Sequence, residues 1–117
     1  MLTLYGIKNC DTVRKARRWL EDRGIAHSFH DFRSDGLPPA LLEDWADRLG
    51  WETLLNRRGT TYRQLPPERT AGLDRDSALA LMLEQPTLIK RPVTVRGDTV
   101  RIGFREADWE AWLLDAA

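Results

Sequence analysis

The chain opens on a short apolar run, Leu2-Thr3-Leu4-Tyr5, whose residue types favour a strand. Gly6-Ile7-Lys8-Asn9 then turns the chain. From Asp11 onward Val13, Ala16 and Leu20 recur at helical spacing, with Gly24 as the stop, so residues 2–24 form a strand–helix pair. Residues 28–32 predict a second strand, with Phe29 and His30 facing opposite ways. Strand, helix and strand in that order suggest a right-handed crossover. Pro38 and Pro39 suit the first turn of a helix whose stripe is Leu41, Leu42, Trp45, Ala46 and Leu49, and which ends at Gly50. A short helical piece follows over residues 51–55, and Gly59-Thr60-Thr61 is expected to be a loop. Pro66-Pro67 opens another helix, and residues 77–84 read as one more through Leu79, Met82 and Leu83. Residues 92–95 and 99–102 are β-rich and joined through Gly97-Asp98, a good two-residue hairpin turn. Trp109, Trp112 and Leu113 at i, i+3 and i+4 predict a closing helix.

The order is therefore β-α-β, a helical stretch, then β-β-α. That is the α/β arrangement of the thioredoxin-like fold: a mixed four-stranded sheet flanked by helices, here with a helical insertion over about residues 37–86. A length of 117 residues fits a single domain over residues 1–117. The five tryptophans, Trp19, Trp45, Trp51, Trp109 and Trp112, fall at helical positions and read as core anchors. Eighteen basic residues balance eighteen acidic ones, so net charge gives no support for nucleic-acid or membrane binding, and neither is expected. No stretch has the make-up of a signal peptide or a membrane span, which makes the cytoplasm the expected compartment. A monomer is the expected state.

Cys10 changes the picture most. It is the single cysteine of the chain and stands where the turn meets the helix. Unpaired N–H groups and the positive end of the macrodipole favour a thiolate there. Asp11 and Thr12 begin the helix, help to cap it, and carry N–H groups able to point at the sulfur. The position three residues on is Val13, so there is no Cys-x-x-Cys pair and no intramolecular resolving thiol. One cysteine with His27 and His30 gives no tetrahedral metal spacing, and no metal is expected.

Three segments, Gly6-Ile7-Lys8-Asn9-Cys10-Asp11-Thr12, Leu54-Leu55-Asn56-Arg57-Arg58-Gly59-Thr60-Thr61 and Leu88-Ile89-Lys90-Arg91-Pro92-Val93, together resemble the arsenate-reductase-like family. The resemblance covers nearly the whole chain and is closest to the YffB-type branch; the Spx-type transcription regulators share the fold. It implies that Cys10 is the nucleophile, that Arg91 is an anion-binding arginine near it, and that Pro92 is the site-shaping cis-proline before the third strand. Aligned without gaps, the arsenate enzymes' middle arginine falls on Asn56, while Arg58 matches the arginine of the YffB-like and Spx-like branches and Arg57 stands beside it. Their third arginine falls on Phe104, with Arg105 next door.

The implied activity is that of a glutathione-dependent thiol–disulfide reductase with no bound cofactor. Cys10 would form a mixed disulfide that an external thiol resolves: glutathione as cosubstrate, with glutaredoxin as a further partner. A small oxyanion or a disulfide is the implied substrate, and arsenate the narrower expectation. The alternative is an Spx-like regulatory protein docking on RNA polymerase or another partner, although such regulators usually carry the Cys-x-x-Cys switch absent here. Arg14, Lys15, Arg17 and Arg18 make a basic face on the first helix. It is expected to be a solvated side, with attraction of anionic glutathione or an acidic partner as the other reading.

Overall fold

Burial alternates along β1 (Leu2–Gly6), with Leu2, Leu4 and Gly6 inward, as a half-buried strand requires. The computed structural model describes residues 2–114 and divides the chain into two compact units: residues up to His30 with those from Arg91 onward, and Asp31–Lys90.

The first unit contains β1, α1 (Asp11–Asp22), β2 (Ser28–Asp31, whose last residue begins the second unit), β3 (Val93–Arg96), β4 (Thr99–Ile102) and α7 (Glu106–Trp109). Its strands form one mixed four-stranded sheet in the order β2-β1-β3-β4. β1 is antiparallel to β3, with Tyr5 opposite Val93, and β3 is antiparallel to β4, with Val93 opposite Ile102. Arg96 and Thr99 close the hairpin around Gly97-Asp98. Gly97 has φ +57° at the first central position of the turn, where a left-handed backbone favours glycine. The apolar faces of the sheet and α1 meet in a core of Leu2, Leu4, Ala16, Trp19, Leu20 and Trp109, with Phe29, Phe104 and Trp112 packed against it.

The second unit is helical: α2 (Pro39–Leu49), α3 (Trp51–Leu54), α4 (Thr60–Arg63), α5 (Pro67–Thr70) and α6 (Arg75–Glu84). α2 packs on α3 and α6 through the stripe the sequence predicts, with Leu42, Trp45 and Ala46 buried. Leu55 and Ile89 form an isolated bridge, flanked by hydrogen bonds from Asn56 N–H to the Leu88 carbonyl (2.7 Å) and from Lys90 N–H to the Leu54 carbonyl (2.8 Å).

Three expectations are corrected. The Gly59-Thr60-Thr61 loop is the entry to a helical turn, α4: Gly59 is its extended N-cap, and its carbonyl accepts the Arg63 N–H at 3.3 Å. The helix propensity lost to two threonines is only tenths of a kcal/mol each, too little to prevent a single anchored turn. α6 starts two residues before the expected 77, because Asp74 caps it. The Asp74 carboxylate accepts the Ser77 N–H and the Ser77 hydroxyl accepts the Asp74 N–H, each at 2.9 Å, a capping box with serine at the third position. The closing helix widens from α to π geometry over Glu110–Leu114. Of the five tryptophans, Trp19, Trp45 and Trp109 are buried, while Trp51 and Trp112 are half-buried. No helix among the described residues is long and apolar enough to cross a membrane.

Candidate functional site around Cys10

The antiparallel register decides what faces the first turn. Pairing ends with Tyr5 opposite Val93, which leaves the turn after β1 and the Arg91–Pro92 segment before β3 at the same end of the sheet. The turn after β1 closes with the Cys10 N–H donating to the Ile7 carbonyl at 3.2 Å. Cys10 is then the N-cap of α1, in extended conformation (φ −101°, ψ 126°), and its carbonyl accepts the first helical bond, from Arg14 N–H at 2.9 Å. On the other side the Arg91–Pro92 peptide is cis, Pro92 is buried, and the Pro92 carbonyl accepts the Gly103 N–H at 2.9 Å. The thiol of Cys10 is half-buried and free.

The sulfur is held between opposing influences. Burial pushes the thiol up. Against it act the Val13 N–H, a hydrogen bond from the Arg91 guanidinium, the positive charge of that guanidinium and the Thr12 N–H. The second group prevails and holds the thiol below its ordinary value, toward the thiolate. No amide reaches Sγ with the geometry of a full cap hydrogen bond, so the two N–H groups act as nearby dipoles at a helix start. A thiolate in this setting is a nucleophile for a disulfide sulfur or an electrophilic oxyanion centre.

The side chains expected at the site divide. Cys10 and Arg91 are brought together, with Pro92 between Arg91 and β3. Thr12 contributes its amide. Asp11 turns its exposed carboxylate to Arg14 and forms an ion pair with it. Arg105 is the exposed N-cap of α7, its carbonyl accepting the Trp109 N–H at 3.0 Å. Arg57 and Arg58 belong to the second unit, where both are exposed. The Arg57 guanidinium lies 5.7 Å from the Trp51 ring centre, and the Arg58 N–H donates to Asn56 Oδ1 at 3.2 Å. With Glu52, Leu55 and Lys90 these residues line a surface hollow of about 400 Å³. No group of three or more His, Cys, Asp or Glu suited to a metal is found among the described residues.

Two contributors escaped sequence reasoning. Val13 reads as a core residue, and it is fully buried, yet its amide lies at the third helical position, where N–H groups face a cap. Gly6 is required by space: a Cβ there would stand 2.8 Å from Val13 Cγ2 and 3.9 Å from Arg91 Cβ. Gly6→Ala is therefore expected to lower stability by about 1–3 kcal/mol through overpacking next to the thiol. Urea denaturation checks this, and a midpoint equal to wild type would show that Val13 yields at no cost.

A thioredoxin-like sheet that presents one thiol at a helix start, beside an arginine and a cis-proline, defines a class of thiol-bearing α/β proteins. Within it, this chain belongs to the ArsC family, whose model matches residues 5–112. It is similar to the solved YffB protein (44% identical, 95% of this chain and 97% of that one, TM-score 0.90). An arsenate reductase (ArsC) related protein from Brucella melitensis is 49% identical over 95% of this chain and 92% of its own, with TM-score 0.79. The global transcriptional regulator Spx of Streptococcus agalactiae is 29% identical, over 97% of this chain and 83% of its own.

Proposed function

We propose that this protein is a glutathione-dependent thiol–disulfide reductase with Cys10 as its nucleophile. The Cys10 thiolate attacks one sulfur of a disulfide, the S–S bond breaks, and the departing sulfur leaves as a thiolate. When that disulfide is oxidised glutathione, the product is a Cys10–glutathione mixed disulfide and one reduced glutathione. A second thiol, from glutathione or glutaredoxin, attacks the glutathione sulfur of the adduct and frees Cys10. Val13 cannot supply a resolving thiol, so this second thiol must be external. Arg91 holds the thiolate and meets the anionic group of the substrate with a planar fork of donors. Arsenate is the narrower form of the same reading, because the guanidinium suits an oxyanion as well as a carboxylate.

The observation that carries this reading is the lowered thiol of Cys10 next to Arg91. Incubation with oxidised glutathione, followed by intact-mass measurement, is expected to add one glutathionyl group to wild type and none to Cys10→Ser. Absence of the adduct on wild type, under conditions that modify a control thiol, overturns the proposal. The likeness to Spx favours a second reading, a regulator that docks on RNA polymerase. Retention of this protein by purified RNA polymerase, undiminished in Cys10→Ser, would select that reading.

A further inference from the structure

The four cations of α1 and Arg23 at its C-cap are not equivalent. Arg17 lays its guanidinium 4.4 Å from the Phe29 ring centre, with Nε buried, and Arg23 lies 4.1 Å from the Trp19 ring and donates to the Trp19 carbonyl. Both are used in packing. Arg14 is paired with Asp11. Lys15 and Arg18 are exposed and make no ion pair, hydrogen bond or ring contact with any described residue.

These two side chains line both hollows that flank them. One, of about 210 Å³, is bounded by Asp11, Arg14, Lys15 and Arg18, three cations against one acid. The other, of about 360 Å³, adds Trp19, Arg23 and Phe104 to Lys15 and Arg18, with Asp22 and Glu106 as its acids. The positive excess therefore sits on the half of α1 that begins at Cys10. Arg91 adds a further cation at the thiol itself, by hydrogen bond and by charge.

We infer that the Arg14–Lys15–Arg18 face is a docking surface for a protein thiol donor that presents acidic side chains next to its own sulfur. The inference rests on the thiol-exchange reading above and names the partner of that site. A small thiol is held by groups touching the sulfur. Cations standing roughly 6–12 Å along the helix axis from Cys10, on an open face, act on a larger body. Their field raises the encounter rate with an acidic partner and repels a basic one.

The test uses two synthetic peptides, acetyl-Glu-Glu-Cys-Glu-Glu-amide and its Lys-Lys-Cys-Lys-Lys counterpart, each as the mixed disulfide with 2-thiopyridine. The Cys10 thiolate attacks the peptide sulfur, the bond to the pyridyl sulfur breaks, and thiopyridone is released after taking a proton from water. At low ionic strength the acidic peptide is expected to react about 10-fold faster than the basic one, as electrostatic steering allows. The ratio is expected to collapse in high salt and to invert in the Lys15→Glu/Arg18→Glu double variant. The same variant should react at the wild-type rate with uncharged dipyridyl disulfide. A wild-type ratio near one, or a ratio untouched by the double substitution, overturns the docking surface while leaving the thiol reading intact. Failure of wild type to react with dipyridyl disulfide overturns both.

Discussion

Arg91→Ala is expected to move the pH profile of Cys10 alkylation upward and to slow the reaction at neutral pH several-fold. Burial pushes the thiol up, and the groups that oppose it are the Val13 amide, Arg91 by hydrogen bond and by charge, and the Thr12 amide. Alanine removes both contributions of the guanidinium and leaves the burial, so the balance shifts toward the protonated thiol. Arg91→Lys should fall between the two proteins, because it restores a point charge without the planar fork. Initial rates with iodoacetamide across pH give the midpoint for each variant. The sign extends to stability. A thiol whose folded value lies below its unfolded one stabilises the fold in full above the unfolded value, and loses that contribution as pH falls through the folded one. The stability lost in Cys10→Ser should accordingly be larger in alkaline than in acidic solution. An alkylation profile unmoved by Arg91→Ala would refute the assignment of Arg91 to the thiol.

Much of this site is legible in the sequence because its parts are local. A strand, a glycine turn and a helical period put Cys10 at a cap, and no long-range information is needed for that. Gly97-Asp98 marks the hairpin that sets β4 beside β3, and the resemblance implies Pro92 as the cis residue before β3. Less legible are features with no side-chain signature of their own. The Val13 amide is a backbone group beneath a core side chain. The need for glycine at position 6 appears only when α1 and Arg91 are seen on either side of it. Arg57 and Arg58 look alike as neighbours, but their local partners differ: a ring for one, the Asn56 side chain for the backbone of the other. The start of α6 was readable in principle, since Asp74 and Ser77 have capping-box spacing. The apolar period through Leu79 and Met82 outweighs that signal when it is read alone.

Trp109→Ala is expected to be the most destabilising single substitution in the first unit, by about 3–5 kcal/mol. Trp109 is 2% exposed and sits among three aromatic rings met edge-on: Phe104 at 4.8 Å, Trp19 at 5.8 Å and Trp112 at 6.3 Å between ring centres. Edge-to-face pairs add roughly 0.5–1.5 kcal/mol each beyond burial, and alanine forfeits all three while leaving a ring-sized cavity. Against a typical domain stability of about 5–15 kcal/mol, that loss is large enough to populate unfolded chain at moderate temperature. The effect should reach the thiol, because Trp19 is on α1 and its ring is the wall against which Trp109 packs. A loosened α1 presents the Thr12 and Val13 amides to Cys10 less steadily, so alkylation at neutral pH should slow in the folded fraction of Trp109→Ala. Trp112→Ala is the matched control. Trp112 is half-buried, faces the Arg101 guanidinium at 4.6 Å, and shares only one of the three ring contacts. Urea unfolding followed by far-ultraviolet circular dichroism ranks the two. Equal losses in both variants would mean that the aromatic cluster has no centre at Trp109, and that α1 is held in place by the apolar contacts of Leu20 and Ala16 instead.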